Sequence, residues 1–166
     1  MSALQLASLT LRPHRQADLP FLRRLYASTR EAELAPLGWR HEQRQAFCAA
    51  QFEAQYHHYR QYYCPDRFDL ICHQGQPIGR LFVDVWPGEI RVVDISLLPD
   101  FRGQGIGAHL LERLYREACT SGRSLSIHVE RNNPARRLYE RLGFQLKTQT
   151  DELYLLMERP PLAEPG

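Results

Sequence analysis

The sequence predicts an α/β chain built on a mixed sheet, and three observations carry that prediction. Residues 68–98 hold three short runs rich in β-branched and aromatic residues, separated by Gln74-Gly75-Gln76-Pro77 and Pro87-Gly88, two turn-forming stretches. Downstream, Ile106, Leu110, Leu114 and Ala118 recur every four residues, with Leu111 and Tyr115 widening the stripe into a helix buried on one face. A third apolar run, 125–129, follows that helix after Ser121-Gly122. An antiparallel meander therefore feeds a strand–helix–strand unit, whose right-handed crossover makes its two strands parallel.

At the N-terminus, residues 4–12 alternate well enough for a strand, with Leu9 and Leu11 on one face and Pro13 ending it. Asp18-Leu19-Pro20 opens a helix, with Asp near the N-cap, Pro in the first turn, and Leu22, Leu25 and Tyr26 inward. Pro36-Leu37-Gly38-Trp39 breaks it. Residues 41–63 contain no Gly or Pro and form a second, long helix. Cys48, Phe52, Tyr56, Tyr59 and Tyr63 share one side of it, either packed on the core or presenting phenols to a small-molecule cleft. The adjacent His57 and His58 point to different faces and make a poor metal pair. Asn133-Pro134 opens a last helix, with Asn133 as N-cap, Ala135, Leu138 and Leu142 inward and Gly143 just past its end. Residues 145–148 and 153–157 complete the sheet as a hairpin-like pair. The total is about seven strands and about four helices. Neither a repeat nor a linker interrupts the chain, so residues 1–159 are expected to form one domain and 160–166 a loose tail.

Composition narrows the function classes. The chain has 166 residues, 43% hydrophobic and 24% charged, the profile of a soluble globular protein. A formal net charge of +2 gives no nucleic-acid footprint. Lys147 is the only lysine among 21 basic residues, a bias that suits anion recognition or reflects the source genome. Four cysteines without C-x-x-C or metal-type spacing imply reduced thiols and no metal site. The first residues, MSALQLASLTL, lack a basic signal-type start, and no stretch reaches membrane-spanning length. A cytoplasmic protein with no membrane or nucleic-acid partner is the expectation, as a monomer or homodimer.

The stretch 98–107, LPDFRGQGIG, lies in the turn from a strand into a helix N-terminus. Free backbone N–H groups and the helix dipole favour an anion there, and glycine lets it approach closely. A bland tight turn is the alternative. Ala108-His109 follow the last glycine where a phosphate-binding Walker loop needs Lys and Ser or Thr. The dinucleotide fingerprint fits by spacing, with Gly103, Gly105 and Ala108, but that motif opens a domain and this one begins late in the chain.

Two blocks together resemble one family. The stretch 98–107 resembles the acyl-CoA loop of the GNAT superfamily of N-acetyltransferases, R/Q-x-x-G-x-G/A. The stretch 132–144, NNPARRLYERLGF, resembles its second motif, N-x-x-A-x-x-L-Y-x-x-x-G-F. The order of elements resembles that fold from end to end, with 39–65 the variable part. The resemblance implies a GNAT-type sheet whose two parallel central strands, 89–98 and 125–129, splay apart to admit the pantetheine arm of CoA. It implies that the backbone of Ile95 and Leu97 contacts that arm. The pyrophosphate would rest on the N–H groups of Arg102, Gly103, Gln104, Gly105, Ile106, Gly107 and Ala108, with Arg102 adding charge. It also implies a CoA contact from Asn132 or Asn133, which spacing alone does not separate from a helix cap.

Acetyl transfer to an amine requires a route for the amine proton, a donor for the oxyanion and an acid for the leaving thiolate. Tyr139 matches the family's motif tyrosine, the acid, and helical geometry sets it on the flank of the buried stripe. Asp94 is the first choice of base, roughly 16 Å along the strand from Pro99. Pairing with a neighbouring Arg is the structural alternative for Asp94, and ordered water the chemical one. Glu89 lies too far along, and His128 qualifies by residue type only. The strand N–H of Ile95 suits the oxyanion. The expected function is acetyl-CoA-dependent N-acetyltransfer to a small-molecule or peptide amine. The alternatives are a non-catalytic acyl-CoA-binding or regulatory module on the same fold and, less favoured, a nicotinamide enzyme.

Overall fold

A computed structural model describes residues 1–149 and 153–162. In chain order the elements are α1 (Ala3–Ala7), β1 (Thr10–Pro13), α2 (Leu19–Leu34), α3 (His41–Tyr62), β2 (Arg67–His73), β3 (Gln76–Val85), β4 (Glu89–Leu97), α4 (Ile106–Thr120), β5 (Ser124–Glu130), α5 (Arg136–Arg141), β6 (Gln145–Gln149) and β7 (Tyr154–Arg159). The seven strands among the described residues form one mixed sheet in the order β1-β2-β3-β4-β5-β7-β6. Only β4 and β5 run parallel; the other neighbours are antiparallel.

The sheet separates two cores, as strand alternation dictates. On β3, Leu81 and Val83 face one side and Phe82 the other. The first core takes Leu110, Leu114, Tyr115 and Ala118 of α4 onto β3, β4, β5 and β7. The second takes Leu22, Leu25 and Tyr26 of α2 and Cys48 and Phe52 of α3 onto Phe68, Leu70, Phe82 and Val93. Each such leucine, 4% exposed or less, stabilises the fold by about 2 kcal/mol. Since α2 and α3 contribute to the second core only over β2, β3 and β4, none of its residues comes from β5 or β7.

The parallel pair is short, and β4 bends where it ends. Register between β4 and β5 runs from Glu89↔Ser124 to Val92↔Ile127 and stops. On the other edge of β4, Val83 pairs with Val92 but Phe82 pairs with Asp94, so Val93 is an extra residue. That bulge bends β4 where it parts from β5.

Three sequence expectations need correction. Residues 4–12 are not one strand: α1 occupies Ala3–Ala7 and β1 begins at Thr10. Leu6 packs on the first core from a single helical turn, too short for period counting to separate from a strand. This raises the α-helices to five among the described residues. The last helix starts later than Asn133-Pro134 predicts, at Arg136 with Ala135 as N-cap. Asp18 does hold the N-cap position of α2, yet makes no side-chain cap. Its carboxylate instead accepts from Arg12 Nη1 and Nη2 (2.9 and 3.0 Å) and the Arg15 N–H (2.8 Å). Of the expected tail, Pro160 accepts a hydrogen bond from the Tyr115 hydroxyl (2.7 Å), and 163–166 lie outside the described residues.

The Arg12 fork, aided by the Arg15 N–H, pulls the Asp18 carboxyl from 3.8 to about 2. A depressed carboxyl contributes stability that is present above its unfolded value and lost as pH falls through its folded one. The protein is therefore expected to lose stability between about pH 4 and 2, and Asp18→Asn to flatten that decline, in urea melts across the range. The effect is modest because the Arg12 side chain is 36% exposed.

Candidate active site

Between β4 and α4 the chain makes one 3₁₀ turn, Pro99–Phe101, and then a glycine loop. Gly103 (φ 72°) and Gly105 (φ 84°) are left-handed, a conformation that costs other residues about 1–2 kcal/mol. A Cβ at either would meet nothing within 4 Å, so conformation rather than crowding demands glycine. Gly105 is the N-cap of α4 and supplies no side chain to cap it. The first intrahelical bond runs from the His109 N–H to the Gly105 carbonyl (3.0 Å). The N–H groups of Ile106, Gly107 and Ala108 therefore point out of the helix end without intrahelical partners, an anion-binding arrangement.

The loop follows directly from the open edge of β4. Leu98 donates its N–H to Ile78 O on β3 (2.8 Å), so alternation turns Asp94 and Ser96 toward β3 and Ile95 and Leu97 toward the gap. Leu97 O accepts from Arg102 Nε (2.9 Å), and Arg102 Nη2 reaches Ser28 Oγ of α2 (3.2 Å). Gln104 Nε2 donates to Asp100 O (2.7 Å). Both side chains are thus committed to neighbouring protein groups.

On the other side of β4, Asp94 Oδ2 accepts from Tyr59 OH (2.8 Å) of α3 and from Arg80 Nη2 (2.9 Å) of β3. Ser96 Oγ lies 3.4 Å from its Oδ1. Burial, then the Asp94 charge, raises the Tyr59 phenol well above its ordinary 10. Tyr139 of α5 is only 5% exposed and lies edge-on to Phe144, ring centroids 6.0 Å apart. Burial first, and the Asp94 charge second, push its hydroxyl up to about 12. His128 lies on β5, one residue beyond the last β4–β5 pair, with Nδ1 3.5 Å from Arg91 Nη1.

Comparison with known proteins bears on this arrangement. Residues 65–146 match the family model described as Acetyltransferase (GNAT) domain. The chain belongs to the GNAT superfamily of acetyl-CoA-dependent acyltransferases. Solved structures repeat its fold. PaiA N-acetyltransferase from Thermoplasma acidophilum, in complex with coenzyme A, superposes with a TM-score of 0.66 at 16% identity over 92% of this chain and 99% of that one. The ribosomal-protein-S18-alanine N-acetyltransferase from Escherichia coli gives 0.58 at 24% identity, over 93% and 96%. Arabidopsis thaliana Naa50, in complex with the bisubstrate analogue CoA-Ac-MVNAL, gives 0.56 at 16%, over 92% and 98%.

Within this GNAT chain, Ile95, Leu97 and the residues from Arg102 to Ala108 fall along one continuous path, strand edge to helix end. Asn133 is not the helix cap. Its Oδ1 accepts from the Ala135 N–H (2.9 Å) two residues on, the turn an Asn side chain makes before a helix rather than on it. Asn132 is exposed. Tyr139 lies inward, not on the flank, while Leu138 and Leu142 are only half-buried. The cause is local: Phe144 donates its N–H to Tyr139 O (3.0 Å), and the two rings enter the first core together.

Arg80 and Gln55 went unrecognised from sequence. Arg80 is 1% exposed and donates from Nη2 to Gln55 Oε1 (2.7 Å) as well as to Asp94. A signal was available: Arg80 shares strand parity with Phe82 inside the apolar run IGRLFV, which aims a cation inward. No helix among the described residues is long and apolar enough to cross a membrane.

Proposed function

We propose that this chain moves the acetyl group of acetyl-CoA onto a primary amine by direct attack, with no covalent enzyme intermediate. The observation that carries this reading is the open β4 edge running straight into the uncapped N-terminus of α4. Acetyl-CoA supplies a thioester, an acyl group already activated toward an amine. The residues fit it: an unpaired edge offers the Leu97 carbonyl to an extended amide-bearing arm and leaves the Ile95 N–H for the thioester oxygen. The N–H groups from Arg102 to Ala108 suit a pyrophosphate. Arg102 releases the Leu97 carbonyl as the arm seats, freeing its guanidinium for the phosphates. Asn132, rather than the engaged Asn133, is the better contact for the cofactor.

The amine attacks the acetyl carbonyl, and the Ile95 N–H stabilises the oxyanion of the tetrahedral intermediate. Tyr139, at about 12, stays protonated through the working range and donates to the sulfur as negative charge develops there. Asp94 already accepts from Tyr59, Arg80 and Ser96, which leaves one lone-pair direction on the carboxylate. It serves by holding an ordered water that carries the amine's proton away. The acceptor is a small-molecule or peptide amine. Because the E. coli enzyme is named for an alanine of ribosomal protein S18, a peptide N-terminus is the first to try.

Free-thiol release from acetyl-CoA across a panel of amines tests this reading, and a panel without turnover defeats it. Calorimetric titration with CoA and with NADH tests the cofactor; binding of NADH alone would overturn it. Gly105→Val is expected to weaken CoA about tenfold or more, by forcing a β-branched residue into the left-handed N-cap and moving the three free N–H groups. Calorimetry reads the change directly.

A further inference from the structure

We propose that Arg80 is a positioning residue for acyl transfer, clamping the stretch of β4 that presents the Ile95 N–H. The inference rests on the assignment of that N–H to the oxyanion. Asp94 and Ser96 stand on either side of Ile95, and Arg80 holds both: Nη2 to Asp94 Oδ2 (2.9 Å) and Nε to Ser96 Oγ (3.3 Å). A third bond, Nη2 to Gln55 Oε1, ties the same guanidinium to α3. These groups come from β3, β4 and α3, so one planar fork fixes three elements against each other.

The place being held is one that needs holding. Val93 is bulged out of the β3–β4 ladder, and β4 has no β5 partner beyond Val92. From Asp94 onward the strand is therefore secured along one edge only. On that edge the backbones run very close, since a Cβ on Gly79 would collide with the Ser96 carbonyl. Gly79 admits the strand, and Arg80, the next residue, pins it.

The chemistry of the clamp is costly for a merely structural part. The Arg80 side chain is 2% exposed, and its Nη1 is buried with no hydrogen-bond partner among the described residues. The guanidinium carbon lies 5.1 Å from the Phe82 ring centroid and 5.9 Å from that of Tyr59. An apolar side chain would fill such a position with less desolvation, so a fully buried cation marks a requirement for fixed geometry. A donor aimed at an oxyanion has that requirement, because its worth depends on small displacements.

The test uses Arg80→Lys, which keeps the charge and one bond to Asp94 but cannot reach Ser96 and Gln55 at once. A second variant, Arg80→Gln, leaves Asp94 in place, keeps one polar group beside it and stands in where the lysine change fails to fold. In either, kcat at saturating substrates is expected to fall about tenfold while the CoA dissociation constant stays within about threefold. The Ile95 amide resonance of ¹⁵N-labelled protein is expected to shift or broaden with no substrate present. A kcat within about twofold of the parent, an unmoved Ile95 amide, or a loss confined to CoA affinity would each overturn the proposal. Failure of the parent to acetylate any amine defeats the enzymatic reading instead, and the Ile95 amide then decides whether the clamp exists.

Discussion

Tyr139→Phe is expected to lower kcat about 10²-fold while the KM for acetyl-CoA stays within about threefold. The reasoning separates ring from hydroxyl. The ring is 5% exposed, packs on the first core and lies edge-on to Phe144, and phenylalanine keeps all of that. What disappears is one proton donor, a buried phenol that feels the Asp94 charge. A phenol at about 12 does not ionise near neutrality, so the parent's rate should show no loss of this acid up to pH 10. The same raised value has a stability consequence of definite sign. A group whose folded pKa exceeds its unfolded one contributes stability that is full below the unfolded value, near 10 for tyrosine, and lost as pH rises toward 12. A rise of that size corresponds to about 2–3 kcal/mol, which the parent loses over that window and Tyr139→Phe does not. Rate profiles from pH 6 to 10 and urea melts from pH 9 to 12 check the two halves. Unchanged turnover at every pH would assign the acid to another group.

How much of this could be read in advance depends on what each feature rests on. Helix α4 was legible to the residue because four-residue spacing, glycines at its entry and Ser121-Gly122 at its exit all agree. The meander and the parallel β4–β5 pair were legible for the same reason, with period, turn residues and crossover handedness concurring. Short elements were not. Five residues in α1 and six in α5 make fewer than two turns each, so packing rather than period decides their ends and inward faces. Tyr139 illustrates this: helical geometry from Pro134 set it on a flank, while the contact with Phe144 draws it into the core. The backbone path proposed for CoA, from Ile95 to Ala108, was nameable in advance from the family resemblance because its residues follow one another along the chain. Arg80, Gln55, Tyr59 and Asp94 meet across sequence separations of 14, 25 and 35 residues, and spacing along the chain carries no trace of such pairings. The pairing of Asp94 with an arginine was anticipated as a type of contact, but its partner was not.

That pairing sets the second large expectation: Asp94→Ala should destabilise the protein by about 3–5 kcal/mol. The loss does not equal the strength of an ion pair in water. It is the cost of leaving Arg80 charged and buried, with a side chain 2% exposed and, among the described residues, no partner for Nη1 and only Gln55 and Ser96 remaining. Tyr59 loses its acceptor in the same step. For a chain of this length the thermal midpoint should drop by about 10 °C or more. Replacing the charges together, as Arg80→Met with Asp94→Leu, removes both desolvation costs and is expected to recover most of the stability. Calorimetric unfolding of the parent, the single and the double variant checks this; a single variant within about 1 kcal/mol of the parent would mean that solvent already screens the pair. The comparison also bears on catalysis. A double variant that regains its stability but acetylates no amine would show that the buried pair is retained for the geometry of β4 and for the water at Asp94. On that outcome the fold does not need the charged pair, and its worth lies in the Ile95 N–H and the proton route proposed for Asp94.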